Sequence, residues 1–480
     1  MDDVLSLSSR FIAEHWEILD LFLVVVGLVI YVGGSHTLNQ RRHPSAAIAW
    51  VLGILLVPYL ALPLYLAFGS RKVVTPSPLV GARPLAVSAA VSFPTMARSL
   101  QLGAAMALPD PVSYDALAIH DDGAQALQAL RRIIASAASS LEISTFLIGR
   151  DVLGDEILRM LGERARAGVR VRLLIDGIGI YLGGYPDLKA LERAGIEVVR
   201  FVPPFNSPKR GRTNLRNHRK MVIADGQCLW CGGRNLAAEY FEGDPRPILR
   251  RMPWIDLSFD LSGELVVQVR RQFEQDWAFA TEKDEVPEWI GPSAIAGAGG
   301  ATPALAQLVA SGPDRPDDTI FTLLVSACFT SQRRILAITP YFVPESSLLT
   351  ALTLAARRGI QVDLILPGRS NHRLADFARH RALRDLVVAG ARVWLHPCMV
   401  HAKAVLIDDE LALAGSANLD GRSLFLNYEM MVAFYDRPAV MNFAHWVEAR
   451  RQECMPYPYR RPGMLREVAE GLLLWLAFQL

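Results

Sequence analysis

Cysteine is scarce in this chain and does not come in pairs. Five thiols in 480 residues (Cys228, Cys231, Cys328, Cys398 and Cys454) form no framework of regular spacings, which argues against a disulfide-stapled scaffold. Cys228 and Cys231 make a C-x-x-C, but inside an expected strand residues three apart face opposite ways. They are read as small core residues, not as a redox or zinc pair. An excess of one charge is also missing. The formal net charge is +2, which gives no overall electrostatic footprint for nucleic acid. The N-terminus lacks the basic region of a secretory leader, carrying Asp2, Asp3, Glu14 and Glu17 instead, and no small-residue cleavage site follows. A retained anchor is expected there, not a cleaved signal peptide.

What the chain does have is apolar length. It is 51% hydrophobic with mean hydropathy +0.23, more apolar than a typical cytosolic enzyme and less than a many-helix transporter. Residues 21–40, LFLVVVGLVIYVGGSHTLNQ, carry no formal charge, and their apolar part of about fourteen residues is short for a span. Residues 44–70 form a longer uncharged stretch. Together they predict a transmembrane helical hairpin within residues 1–72, with helices over about 19–38 and 46–68. Trp50, Tyr59 and Tyr65 suit interfacial or packing positions. Pro58 and Pro63 would kink the second helix, which a hairpin in lipid tolerates. Arg41 and Arg42 in the short loop oppose Arg71 and Lys72 beyond it, so the positive-inside rule assigns no orientation. At the other end, GLLLWLAFQL (471–480) after MLREVAE reads either as an amphipathic helix or as a helix packed on the protein's own core.

After a linker over 73–112, the chain reads as α/β and repeats itself. Residues 130–177 and 321–368 follow one plan of helix, strand, helix, strand: LEISTF aligns with LAITPYF, and RARAGVRVRLLIDG with AARRGIQVDLILPG. Strands alternating with helices predict parallel or mixed sheets flanked by helices. The expected units are a first half over 113–284, a linker over 285–303, a second half over 304–455, and a tail over 456–480. The period of the repeat is that of a duplicated domain and not of a solenoid.

The chemistry-bearing residues repeat in register. NHRKMVIADGQCLWCGGRN (217–235) aligns with HAKAVLIDDELALAGSAN (401–418). His218 matches His401, Lys220 matches Lys403, Asp225 matches Asp408, and Asn235 matches Asn418. On a strand, His and Lys two apart share a face, and Asp-Gly predicts the hairpin turn that brings Gly-x-x-Asn back beside them. Two facing halves would then gather two imidazoles, two ammoniums and two amides. That set suits a phosphodiester: Lys220, Lys403, Asn235, Asn418 and the Ser416 hydroxyl bind non-bridging oxygens, one imidazole attacks phosphorus, and the other protonates the leaving alkoxide. Asp225 and Asp408 lie an odd number of residues from their His and are read mainly as turn or support residues. An imidazole working this way needs an acid on its other nitrogen; Glu429, and Asp256 on the corresponding strand of the first half, are the candidates. A cation would be repelled by the Lys beside each His, so no metal site is expected. Ser416 has no counterpart in the first half, where Gly233 stands, so the two sides are not expected to be equal.

These residues, H-x-K-x4-D-x6-G-x-x-N twice in one chain, resemble the phospholipase D superfamily. The phrases NLRNHRK, SGPD (311–314), TPYFVP (339–344), LPGRSNHR (366–373) and GSANLDGRSLFLNYE are similar to those of its membrane-anchored bacterial cardiolipin synthases. The resemblance implies a catalytic set of His218, Lys220, Asp225, His401, Lys403 and Asp408. It implies transfer of a phosphatidyl group from one phosphatidylglycerol to another through a phosphohistidine, with release of glycerol. It further implies His218 as nucleophile, no cofactor, phosphatidylglycerol and membrane lipids as partners, and a multi-pass location in the bacterial inner membrane. A phospholipase D-type hydrolase, or a transferase using another alcohol or phosphatidylethanolamine as acceptor, is the alternative.

Overall fold

The computed structural model describes Trp16 and residues 18–33, 44–69, 94–203, 214–243, 252–282, 304–467 and 470. Two sheets carry the fold. The first has seven strands in the spatial order Asp115–Ile119, Ser258–Ser262, Cys228–Gly232, Met221–Ala224, Ser140–Thr145, Arg170–Asp176 and Glu197–Phe201. In the second, Leu305–Ser311, Glu429–Phe434, Leu411–Gly415, Ala404–Ile407, Arg334–Ile338, Gln361–Pro367 and Arg392–His396 occupy the same seven places. Val112–Ser113 adds to one edge of that second sheet and Met455–Pro456 to the other. The last three strands of each seven run parallel, and the remaining pairings are antiparallel. The sheets are therefore mixed. Crossover helices make the parallel part, and a strand returning through a tight turn can only pair antiparallel.

The strands are apolar because both faces are covered. Ser140–Thr145 and Leu411–Gly415 are buried along their whole length. Outward, each sheet packs on its own helices, through Leu130, Ile134, Ile157 and Leu161 in the first half and Leu323, Leu324, Ala351 and Leu383 in the second. Inward, the sheets share one core, in which Ile223, Leu229 and Phe259 meet Ile338, Leu406 and Phe434. Helices Glu264–Thr281 and Arg437–Arg451 contribute to this central layer. Phe259 packs edge-on to Phe434 and Phe443 at centroid separations of 5.5 and 5.6 Å, contacts worth about 0.5–1.5 kcal/mol each beyond simple burial. The halves thus form one body, with the motif hairpins near its centre.

Residues 18–33 are helical and pack against helix Pro44–Leu56, since a Cβ on Gly27 would lie 2.8 Å from Ile54. The expected continuous helix over 46–68 is instead two pieces, Pro44–Leu56 and Pro58–Phe68. Val57 leaves helical geometry (φ −146°, ψ 62°) because the Pro58 ring disfavours it there. Among the described residues no helix is long and apolar enough to cross a membrane. All five cysteines are free; Cys231 is buried and Cys228 exposed, the alternation expected of a strand. The tail over 471–480 lies outside the described residues.

Candidate active site

His218 and Lys220 do not lie within a strand, as the sequence spacing predicts, but in the extended segment leading into Met221–Ala224. His401 and Lys403 stand in the same relation to Ala404–Ile407. What holds each segment is the opposite half. Asn217 bridges Tyr428, and Val400 bridges Ile255, both in parallel. The His218 N–H donates to the Tyr428 carbonyl at 2.9 Å, and the His401 N–H to the Ile255 carbonyl at 2.6 Å. The next residues after Tyr428 and Ile255 are Glu429 and Asp256. Each acid is thereby delivered to the histidine of the other half. His218 Nδ1 lies 3.0 Å from Glu429 Oε1, and His401 Nδ1 lies 2.7 Å from Asp256 Oδ2.

The surroundings are dry and charged. The side chains of His218 and His401 are 13% and 5% exposed, those of Glu429 and Asp256 fully buried. Lys220 Nζ donates to the His218 carbonyl at 2.8 Å. Lys403 Nζ donates to the His401 carbonyl and lies 2.7 Å from that ring's Nδ1. Burial, and then the Lys403 ammonium, push His401 down to about 3 against the pull of Asp256. Burial likewise lowers His218, with Glu429 opposing and the two lysines assisting. Burial lowers Lys403 to about 8. Both carboxylates stay below their ordinary range: burial opposes this, but His401 and Lys403 outweigh it at Asp256, and His218 and Lys220 at Glu429. Burial also lowers Lys220 well below the ordinary lysine value, with Glu429 opposing and Lys403 assisting, so the site holds two neutral imidazoles beside two buried lysines of weakened basicity and two carboxylates.

The remaining expected residues are placed unequally. Asp225 and Asp408 sit at the far ends of the motif strands, in left-handed turn positions (φ 54° and 52°). Asp225 accepts from the backbone N–H groups of Ala138, Ser139 and Ser140, and Asp408 from those of Gln332, Arg333 and Arg334. They tie each hairpin turn to the start of the neighbouring antiparallel strand, which removes them from the catalytic set. Ser416 is committed to Glu429 Oε2 at 2.5 Å and so holds the acid; it does not present a free hydroxyl for phosphate. Gly233 has no side chain for a physical reason: its Cβ would stand 2.2 Å from Asp256 Oδ1. The shorter acid sits deeper against its backbone, where the longer Glu429 leaves room for a hydroxyl. The motif glycines are equally constrained, since a Cβ on Gly232 or Gly415 would meet the Leu257 or Met430 carbonyl at 2.2 Å. Asn235 donates to the Tyr240 hydroxyl at 2.8 Å. The Oδ1 atoms of Asn235 and Asn418 are both buried without a hydrogen-bond partner among the described residues; an amide oxygen accepts only, so as placed they suit a hydroxyl and not a phosphoryl oxygen. Arg422 binds the Oδ1 and carbonyl of Asn214 at 3.1 Å each and so braces the His218 segment. No cluster of three His, Cys, Asp or Glu side chains suited to a metal occurs among the described residues.

Several residues were not legible beforehand. Arg219, fully buried between His218 and Lys220, donates to the Glu429 and Ser311 carbonyls at 3.0 Å each and to the Asp276 carboxylate. Its counterpart by alignment, Ala402, is neutral. Burial pushes Asp276 up to about 6, with Arg219 opposing and Asp314 assisting. Arg219→Ala would strand Asp276 and unpin the Glu429 strand, so a loss of about 3–5 kcal/mol is expected in denaturant unfolding; a loss under about 1 kcal/mol, the scale of an exposed pair, would contradict this. Asp176 ends strand Arg170–Asp176 fully buried and accepts from the N–H groups of Asn217 (2.8 Å), Ile178 (2.8 Å) and Gly179 (3.2 Å) and from Arg216 (3.2 Å). An acid at the end of an apolar strand was the available signal. Aromatic rings also distinguish the two histidines. His401 has Tyr240 and Trp254 at 5.1 and 5.5 Å, and His218 has Phe146 at 5.3 Å.

Fold and site together define a duplicated α/β protein in which two His–Lys–Asn sets, one per half, meet with their acids exchanged. The model described as "Cardiolipin synthase, PLD-like domain" matches residues 130–277 and 325–451, and the one described as "Phospholipase_D-nuclease N-terminal" matches 21–70. The chain is 31% identical to cardiolipin synthase A of Pseudomonas aeruginosa over 447 residues, covering 90% of this chain and 88% of that protein. It is 32% identical to cardiolipin synthase A of Pseudomonas putida (strain W619) over 449 residues, covering 89% and 90%. The structure of a phosphatidylserine synthase from Haemophilus influenzae Rd KW20 shares the fold, with a TM-score of 0.60 at 13% identity over 80% of this chain and all of that one. The chain belongs to the cardiolipin synthase, PLD-like domain family.

Proposed function

We propose that the protein is a membrane-bound cardiolipin synthase. It moves a phosphatidyl group from one phosphatidylglycerol to the terminal hydroxyl of another and releases glycerol. The observation that carries this reading is the pair of His–carboxylate couples built across one buried interface with a lysine beside each. The relatives named cardiolipin synthase A span almost the whole chain. His218, neutral and oriented by Glu429, attacks phosphorus as the bond to glycerol oxygen breaks. His401, oriented by Asp256, gives that oxygen its proton. The second phosphatidylglycerol then loses its hydroxyl proton to His401 and displaces His218 from phosphorus. Lys220 and Lys403, with the Nδ2 groups of Asn235 and Asn418, bind the phosphoryl oxygens. The entering phosphodiester brings a negative charge beside the two lysines and His401 and raises their proton affinity, so that His401 takes up a proton from solvent on binding and serves as the acid. One phosphodiester replaces another, so the scheme uses no nucleotide.

The helices at 18–33, Pro44–Leu56 and Pro58–Phe68 are placed in the bacterial inner membrane. Val25, Val29, Leu52 and Leu60 among their side chains are exposed, and a bilayer would cover them. The anchor then spans 1–72, the halves 113–284 and 304–455, with connecting segments at 73–112 and 285–303 and a tail from 456. The test is a lipid assay on the full chain in detergent, with phosphatidylglycerol alone and a chelator present. Cardiolipin and glycerol in equal amounts are expected by mass spectrometry; phosphatidic acid alone would make water the acceptor and overturn the reading. The alkaline limb of kcat/KM should fall at or below about pH 8, where Lys403, or Lys220 with its still more strongly lowered affinity, loses its proton and the transition state loses a charge. Lys403→Arg, which keeps its charge, should move that limb upward while lowering the plateau. An unmoved limb would assign it to another group.

A further inference from the structure

The two histidines are buried, yet the lipid phosphodiester must reach them. Two loops flank the site at the carboxyl ends of equivalent strands. After Arg170–Asp176 comes the short helix Gly179–Leu182, where Tyr181, Leu182 and Tyr185 are 42, 65 and 59% exposed. Val152, 75% exposed, belongs to the same surface, because the Arg150 N–H donates to the Gly183 carbonyl at 2.7 Å. These apolar groups are held outward by a rigid base. Gly179 packs so tightly on Phe146 that a Cβ would stand 1.6 Å from its carbonyl oxygen, Gly183 is equally close-set on Ile148 (2.1 Å), and Tyr185 takes a left-handed conformation (φ 62°). Phe146 in turn lies against the His218 ring, and Asp176 holds the N–H groups of both Asn217 and Gly179. The patch is thus one residue removed from the His218 pocket on two independent routes.

The equivalent loop of the second half, after Gln361–Pro367, is cationic. Arg369 and Arg373 are exposed there beside Leu374, and Asn371 and His372 of this loop contact Tyr341. Apolar groups on one side and guanidinium groups on the other match an acyl-chain boundary beneath a layer of anionic head groups. We propose that this rim is a docking surface for an anionic lipid bilayer: the Tyr181–Tyr185 loop inserts among the acyl chains, and Arg369 and Arg373 meet the phosphates. The inference rests on the reading of the site as a phosphatidyltransferase and adds a second membrane contact, separate from the N-terminal helices.

The test uses the full chain with Cys228, Cys398 and Cys454 changed to serine and an environment-sensitive NBD fluorophore on Leu182→Cys. Vesicles of phosphatidylglycerol and phosphatidylcholine are expected to shift its emission to the blue and to allow quenching by lipids brominated on their acyl chains. The same label on Val388→Cys, at the opposite end of helix Arg373–Val388 from the rim, should respond to neither. Equal responses at the two positions would overturn the proposal. A second variant, Leu182→Asp with Tyr185→Asp, should lower the ratio of turnover on vesicles to turnover on monomeric short-chain phosphatidylglycerol at least tenfold; an unchanged ratio would also overturn it. Failure of the parent protein to transfer phosphatidyl groups in either form would instead strike the functional reading, because the fluorophore reports insertion without catalysis.

Discussion

His218→Ala is expected to reduce cardiolipin formation by on the order of a million-fold, the effect of removing a nucleophile. His401→Ala should cost less, about a hundred- to ten-thousand-fold, as for a lost proton donor. The difference follows from what remains. Without His218 no covalent intermediate can form. Without His401 the attack still occurs slowly, and the second displacement lacks its base, so a phosphatidyl-enzyme should accumulate. Acid-labile radiolabel trapped on the protein from phosphatidylglycerol labelled in its phosphate would be present in His401→Ala and absent in His218→Ala. The opposite pattern would exchange the two roles. The two rings are alike in being buried, lowered in pKa and held by one acid on Nδ1, so the trapped label is what separates their roles.

Glu429→Gln and Asp256→Asn should each lower kcat by on the order of ten-thousand-fold, the penalty for losing the carboxylate that orients and charges a catalytic imidazole. Folding should be nearly unaffected, because each amide keeps the shape of the acid. The crossed pairing adds a sharper expectation. Trapped phosphohistidine should be lost in Glu429→Gln, whose partner is His218 of the other half, and retained in Asp256→Asn, whose partner is His401. Pairing within each half would give the reverse, so one trapping experiment checks both the roles and the geometry. Glu429 has further donors in Ser416 and Ser423, the latter at 2.9 Å, so Ser416→Ala should reproduce a fraction of the Glu429→Gln loss. A loss confined to KM would return Ser416 to direct phosphate binding.

The sequence carried the repeat because duplicated halves keep the same offsets, and His, Lys and Asn at matched positions stand out against apolar strands. It carried the strands and helices of both halves for the same reason, through patterns local to each segment. It misplaced His218 and Lys220 onto a strand because a segment paired by isolated bridges to another half has the extended backbone of a strand without its ladder. It assigned Ser416 to phosphate because a hydroxyl near a site looks the same whether it serves ligand or protein. Arg219 passed unnoticed because a cation in a basic stretch, NLRNHRK, gives no sign of being the fully buried member.

By itself the sequence determined that there are two α/β halves, that each bears one His–Lys–Asn set, and that Glu429 and Asp256 are the acids to consider. These are matters of periodicity, spacing and residue chemistry, all of which act over a few residues. Only the tertiary structure decided that the acids are exchanged between halves, that Asp225 and Asp408 hold the backbone N–H groups of 138–140 and 332–334, and that Arg219 and Asp176 brace the His218 segment. Those outcomes depend on which surfaces the two sheets bury against each other. Residues about two hundred positions apart, such as His218 and Glu429 at 3.0 Å, meet through that packing and leave no trace in local pattern.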